Sequence, residues 1–123
     1  MTLDIGLARE STDSQDEASQ VKAIEAESML RGSTLVKIIK PHGYSASHGT
    51  QEPALQEIIA GMQCGDWSTL IVTDSSRIDR REDLDEQAAV LLAIRGAGGN
   101  VISISEPQYG KDDSAGRIVT LVA

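Results

Sequence analysis

The chain has 123 residues, of which 40% are hydrophobic and 24% charged, and its formal net charge at pH 7 is −8. These values are typical of one globular domain, and the negative charge argues against strong DNA binding by this piece alone. It contains no Phe, one Trp and two Tyr, which argues against an aromatic platform for single-stranded nucleic acid and predicts an aliphatic core. A single cysteine excludes a disulfide framework or a thiolate metal cluster. No apolar run is long enough for a membrane span and no secretion signal is visible, so we expect a cytoplasmic protein.

Four short segments, taken in chain order, have the composition of β-strands: residues 3–8, 34–39, 68–73 and 100–105. They are rich in Ile, Val and Thr and nearly continuously apolar, which is typical of strands covered on both faces. Longer amphipathic segments separate them. The order β-α-β-α-β-α-β predicts an α/β fold with a mainly parallel central sheet and helices on both faces. In such sheets, ligands bind outside the carboxyl ends of the strands.

The amphipathic segments carry helix start and stop signals. Ser14 and Glu17 have the spacing of a capping box, Pro53 suits the first turn of the second helix, and the third helix is expected at about residues 83–95. Cys64, at the end of the second helix, is expected to be a small buried residue. The predicted stop signals are Gly32, Gly65 and Gly96. The side chains predicted to face inward are Ala18, Val21 and Ile24 in the first helix, Leu55, Ile58, Ile59 and Met62 in the second, and Leu84, Ala88, Leu91 and Leu92 in the third.

Two segments are too long to be simple connections: residues 40–52, rich in Gly, Ser and His, and residues 106–116. Long loops of this kind often carry function. After the second loop, residues 117–123 begin a further apolar segment, and the chain ends there. We therefore expect residues 1–123 to be one domain that is truncated at the start of another element.

A serine and several arginines follow the first and third predicted strands. Arg9 and Ser11 lie on the same side of an extended chain, and Arg77, Arg80 and Arg81 come after the third strand. Because the carboxyl ends of parallel strands meet at one edge, these groups can converge there. Guanidinium groups around a hydroxyl suit phosphoryl transfer, in which the hydroxyl is the nucleophile and the arginines neutralise charge on the phosphate oxygens. No set of metal ligands is visible, so we expect no metal.

Each signal also has an ordinary interpretation. Taken alone, Ser11 is more simply a turn or cap residue, and the segment "RIDRRED" at residues 77–83 is more simply an exposed, ion-paired loop. The functional interpretation gains weight only because the topology brings the two segments together.

The segment "LARESTDSQDEASQ" at residues 7–20 resembles the start of the serine recombinases, the family of resolvases, invertases and large serine integrases. That family has Tyr-x-Arg-x-Ser at the end of its first strand and a Gln nine residues after the serine, and these positions are Leu7, Arg9, Ser11 and Gln20 here. "SRIDR" at 76–80 resembles the family's Asp-Arg-Leu-x-Arg, and residues 114–123 resemble the start of its long dimer helix. The resemblance covers essentially the whole chain.

The resemblance implies a catalytic domain for site-specific DNA recombination. Ser11 would attack a DNA phosphodiester and form a 5′-phosphoserine link, and strand exchange and religation would follow without a cofactor. Arg9, Arg77 and Arg80 would bind the scissile phosphate, and Gln20 would hold the phosphate or a loop through its amide. Weaker candidates for substrate contact are Ser45, Ser76 and Arg81. The implied partners are double-stranded DNA, bound through a DNA-binding region absent from this chain, and further copies forming a homodimer and then a tetramer. A phage or other mobile element is the implied source.

Several positions depart from the family pattern. Leu7 replaces its tyrosine, Pro41 the Asp that opens the mobile loop, Ala46 the loop glycine, Glu52 an arginine and Ser76 an Asp. No Lys or Arg lies between positions 40 and 77 to replace that arginine. The activity is therefore expected to be reduced or altered, or the domain is a degenerate relative that acts in dimerisation or regulation. A third possibility, a receiver-like or nucleotide-binding domain, lacks the required acidic pair and Gly-rich loop.

Overall fold

The computed structural model describes residues 2–8, 14–40, 53–74 and 84–106, with side chains from Glu17 in the first helix and from Ala88 in the third. Within these ranges, strands and helices alternate along the chain: β1 (Leu3–Leu7), α1 (Ser14–Leu30), β2 (Thr34–Ile39), α2 (Pro53–Cys64), β3 (Thr69–Val72), α3 (Leu84–Gly96) and β4 (Asn100–Ser103). The strands form one sheet in the order β2-β1-β3-β4, and each neighbouring pair is parallel. The predicted α/β class is confirmed. No helix in these ranges has both the length and the apolar content that a membrane crossing requires.

The two faces of the sheet have separate cores because β-strand side chains alternate in direction. Ile5 and Leu7 of β1 pack with α2 and α3, whereas Ala8 packs with Ile24 of α1 on the other face. Both cores are aliphatic apart from Trp67, whose indole Nε1 donates a hydrogen bond to a carbonyl of α2 at 2.8 Å. The buried residues of the α2–α3 face include Leu55, Ile58, Met62, Leu70, Val72, Val90, Leu91 and Ile94.

Two predicted inward positions are wrong. Ala18 of α1 is exposed, and Leu92 of α3 is 61% exposed, although Leu91 beside it is buried. Apolar residues occupy more than one side of α3, so the sequence alone did not determine which side faces the sheet. Cys64 is also exposed rather than buried, because α2 ends there, beyond its last buried turn. Leu84 lies outside the described side chains.

Helix ends follow the predicted glycine signals with one change. Glycines with positive φ follow all three described helices: Gly32 (69°), Gly65 (83°) and Gly98 (88°). In each case the glycine N–H bonds to the carbonyl three residues back, and the next N–H bonds to the carbonyl five back, which is the Schellman arrangement. Gly98, not the predicted Gly96, is the left-handed residue after α3, and Gly96 is the last helical residue.

α1 packs closely against the sheet at Gly6 in β1. A Cβ atom at this position would lie 2.8 Å from Ile24 Cγ2 and 3.0 Å from Ile38 Cγ1. Ile24 is fully buried, and branched side chains have few alternative rotamers. A residue without a side chain is therefore needed for α1 to pack at this distance.

We predict that Gly6→Ala lowers the free energy of unfolding by about 1–3 kcal/mol, because Ile24 and Ile38 must be displaced. Gly96→Ala is the matched control, since a Cβ there would meet no atom within 4 Å, and it should change stability by less than about 1 kcal/mol. Urea denaturation of the two variants measures the difference. Equal stability would contradict the close packing of α1 on β1.

Candidate active site

The carboxyl ends of β1 and β3 lie side by side in the centre of the sheet. Gly6 pairs with Ile71 in the parallel register of these strands, so their last residues, Leu7 and Val72, are level with each other. Neighbouring strands are about 4.8 Å apart. The chain therefore leaves β1 toward residues 9–13 and β3 toward residues 75–83 from adjacent points of one edge, as the parallel topology predicts.

Most of the predicted site lies outside the described residues. This applies to seven of the eight predicted positions: Arg9, Ser11, Ser45, Ser76, Arg77, Arg80 and Arg81. It also applies to Pro41, Ala46 and Glu52, three positions that depart from the family pattern. The assignments at all of them stay predictions. Gln20 is the predicted site residue that the structure describes.

A buried carboxylate anchors the far end of α1 to the amino end of β1. Asp4 is fully buried and accepts a hydrogen bond of 2.7 Å from the Ser28 hydroxyl. Arg31 Nη1 donates to both oxygens of the same carboxylate at 3.1 Å. Because a charge-assisted network of this kind has a defined geometry, it fixes the position of α1 along the strand.

This anchor and the contact at Gly6 determine the register of the rest of α1. Ser28 contacts Asp4 and Ile24 lies against Gly6. The four helical residues from Ile24 to Ser28 span about 6 Å, and the two strand residues from Asp4 to Gly6 span about 6.6 Å, so the two elements stay in step. One further step brings Gln20 level with Ala8, at the carboxyl end of β1. Gln20 is 2% exposed. A buried amide thus lies at the edge where the candidate residues leave β1 and β3.

Glu17 lies about one turn nearer the start of α1 and is not among the predicted site residues. Residues 17, 20 and 24 have the spacing of one helix face, and Glu17 is partly buried. Its Oε2 atom is shielded from solvent and has no hydrogen-bond partner among the described residues. The predicted capping box gave this carboxylate a donor at the helix start, and Oε2 does not accept one there. The helical spacing with Gln20 was the signal that could have identified its inward position.

An open cavity of about 420 Å³ lies at the amino end of the sheet, where Leu3, Trp67 and Gly98 contribute to its walls. None of its lining residues has a titratable side chain, so it does not compete as a catalytic site. Within the described ranges, no group of three His, Cys, Asp or Glu side chains could hold a metal ion.

Residues 5–123 match the sequence model of the family described as "Resolvase, N terminal domain". No curated protein matches the sequence.

Several solved structures share the fold. The N-terminal catalytic domain of TP901-1 integrase aligns with a TM-score of 0.76 at 17% identity, over 98% of this chain and 92% of that one. A resolvase family site-specific recombinase from Streptococcus pneumoniae aligns with a TM-score of 0.69 at 18% identity, over 99% of this chain and 84% of that one. The C-terminal catalytic domain of ISC1926 TnpA, an IS607-like serine recombinase, aligns with a TM-score of 0.70 at 15% identity, over 83% of this chain and 67% of that one. At these identities the structural likeness extends to the fold alone.

We predict that Asp4→Asn lowers the free energy of unfolding by about 2 kcal/mol, because the fully buried carboxylate that binds Ser28 and the 28% exposed Arg31 loses its charge. Glu57→Gln is the control, since the Lys37–Glu57 ion pair is about half exposed on both sides and should contribute less than about 1 kcal/mol. Thermal unfolding of both variants compares the two ion pairs. A similarly small effect at both positions would show that the Asp4 network does not anchor α1.

Proposed function

The chain belongs to the Resolvase N-terminal domain family of serine recombinases, as its sequence motifs predicted, and we propose that it cleaves and rejoins DNA through Ser11 in site-specific recombination. The observation that carries this proposal is the parallel pairing of β1 with β3. This pairing supports convergence of the segments with the proposed nucleophile and arginines at one sheet edge, and the buried amide of Gln20 lies at that edge.

In the proposed reaction, the Ser11 hydroxyl loses its proton and attacks the phosphorus of a DNA phosphodiester. The bond to the 3′ oxygen breaks, this oxygen takes up a proton, and the 5′ phosphate stays esterified to the serine. After strand exchange, a 3′-hydroxyl attacks the phosphoserine, the new phosphodiester forms and the serine hydroxyl is restored. The number of phosphate ester bonds is unchanged, so the reaction needs no nucleotide or other source of energy.

The arginines stabilise the transition state of this transfer. Arg9 follows β1 in the sequence, and Arg77 and Arg80 follow β3. Their guanidinium groups can therefore approach the phosphate from two directions. The negative charge on the non-bridging oxygens grows as the serine attacks, and fixed guanidinium groups neutralise it. Gln20 donates from its amide to the phosphate or to a loop. Ser45, Ser76 and Arg81 make secondary contacts with the substrate.

The proposed partners are double-stranded DNA and other copies of the same protein. The net charge of −8 does not favour independent DNA binding by residues 1–123, so a region outside this chain supplies the basic surface and the base contacts that select the site. A homodimer that assembles into a tetramer supplies four serines, one for each strand cut at two duplex sites. The reaction takes place in the cytoplasm, on DNA of a phage or other mobile element.

A second candidate function is a catalytically degenerate domain that acts in dimerisation or regulation. The observation that favours it is Glu52, which stands where the family has an arginine, together with the absence of Lys or Arg between positions 40 and 77. A carboxylate near the phosphate would raise the cost of substrate binding.

We predict that Ser11→Ala abolishes a covalent protein–DNA adduct that the wild-type protein forms, because the adduct requires the serine oxygen. The complete natural protein would be incubated with a supercoiled plasmid library made from the genome that encodes it, quenched with detergent and purified. Sequencing of the attached DNA identifies the cleaved sites, and mass spectrometry locates the phosphoserine. Ser19→Ala is the control, because Ser19 is exposed on α1, and it should form the adduct as the wild type does.

The same experiment separates the two candidate functions. Absence of any adduct in the wild type, under conditions in which the protein is folded, would favour the degenerate domain. An adduct that persists in Ser11→Ala would reject Ser11 as the nucleophile.

A further inference from the structure

The carboxylate of Glu17 is an inward-facing charged group of α1 to which the proposed reaction assigns no role. Its position follows from the register of α1, which brings Gln20 level with Ala8 and Glu17 about 4.5 Å further along the helix axis, just beyond the end of β1. The Oε2 atom is shielded from solvent and accepts no hydrogen bond from the described residues. The register of α1 therefore brings Glu17 near the edge from which the chain leaves β1 and β3 toward the candidate catalytic segments.

A shielded carboxylate oxygen is energetically costly unless a donor or a cation compensates for the lost water. The positive end of the helix dipole favours a carboxylate in this turn, but it does not provide Oε2 with a hydrogen bond. The described cations do not provide one either. Arg31 is bound to Asp4 at the far end of α1, Lys37 pairs with Glu57, and Lys40 is exposed and forms no ion pair with Glu17.

The charge balance of the proposed site indicates what the partner is. Three guanidinium groups bring a charge of +3, while a phosphodiester brings −1 and gains about one further negative charge in the transition state. One carboxylate would balance the remaining positive charge. A guanidinium has five N–H donors, so one arginine can bind a carboxylate on one side of its fork and a phosphate on the other.

We propose that Glu17 accepts hydrogen bonds from a guanidinium of the cluster Arg9, Arg77 and Arg80, and thereby orients that arginine toward the scissile phosphate. This inference rests on the proposed function. Glu17 is a positioning residue in this scheme, because it acts through the arginine and does not contact the DNA. The intervening guanidinium also keeps the carboxylate charge away from the phosphate.

The test compares Glu17→Gln, Glu17→Asp and the control Glu25→Gln in the complete protein. Glu25 is an exposed carboxylate of the same helix. The measured quantities are the rate of adduct formation on a cleaved plasmid sequence at saturating protein, the DNA affinity in a Ser11→Ala background, and the unfolding temperature. We expect Glu17→Gln to slow adduct formation by about tenfold to a hundredfold. The reason is that the amide is similar in shape but lacks the charge and turns an NH₂ group toward the guanidinium.

DNA affinity and unfolding temperature should stay close to wild type in Glu17→Gln, and Glu17→Asp should restore part of the rate because it keeps the charge. Glu25→Gln should react as the wild type does. If Glu17→Gln reacts as fast as Glu25→Gln, the positioning role is rejected while Ser11 stays the nucleophile. If the wild type itself forms no adduct, the proposed function and this inference both fail. If Glu17→Gln does not fold, Glu17→Ala takes its place, and equal rates of adduct formation in Glu17→Ala and Glu17→Asp would reject the role.

Discussion

The fit of α1 against β1 determines where each buried group of the helix lies relative to the end of the sheet. At the amino end of β1, the Asp4 carboxylate holds Ser28 and Arg31, and in the middle of the strand Gly6 allows Ile24 to approach the backbone. Since an α-helix is stiff over such a distance, these contacts also set the position of Gln20 at the other end. The polar groups at the candidate site thus depend on packing that begins two turns of helix away.

The sequence predicted the architecture well because the signals for it are local. Short apolar runs and glycine stop signals identified all four strands and three helices of the described part, with boundaries that differ by at most two residues at the ends of the strands. The errors arose where a local pattern had two solutions. Leu92 was placed inward because α3 has apolar residues on several sides, and Gly96 was preferred to Gly98 because both follow a helical pattern.

The candidate site could be predicted only in part, for a different reason. Hydrophobic periodicity identifies apolar faces, so it does not detect the buried polar residues Asp4, Gln20 and Ser28. Gln20 was identified through the family resemblance and not through the pattern of α1. Glu17 was assigned to a capping box because that interpretation uses neighbouring residues only, whereas its burial depends on the packing of α1 across the sheet. The chain's departure from β1 and β3 at neighbouring points of one edge was predictable, because parallel pairing alone requires it.

The anchoring of α1 at the amino end of β1 has a consequence for how this domain can change over evolutionary time. The ion pair at Asp4 and the close contact at Gly6 stabilise the fold without any contribution from the edge where the chemistry is proposed. Substitutions at the edge where the chemistry is proposed can therefore accumulate with little effect on folding. A family member that has lost DNA cleavage can therefore keep a stable, well-folded domain. Solubility and thermal unfolding do not distinguish it from an active member, whereas an assay of DNA cleavage does.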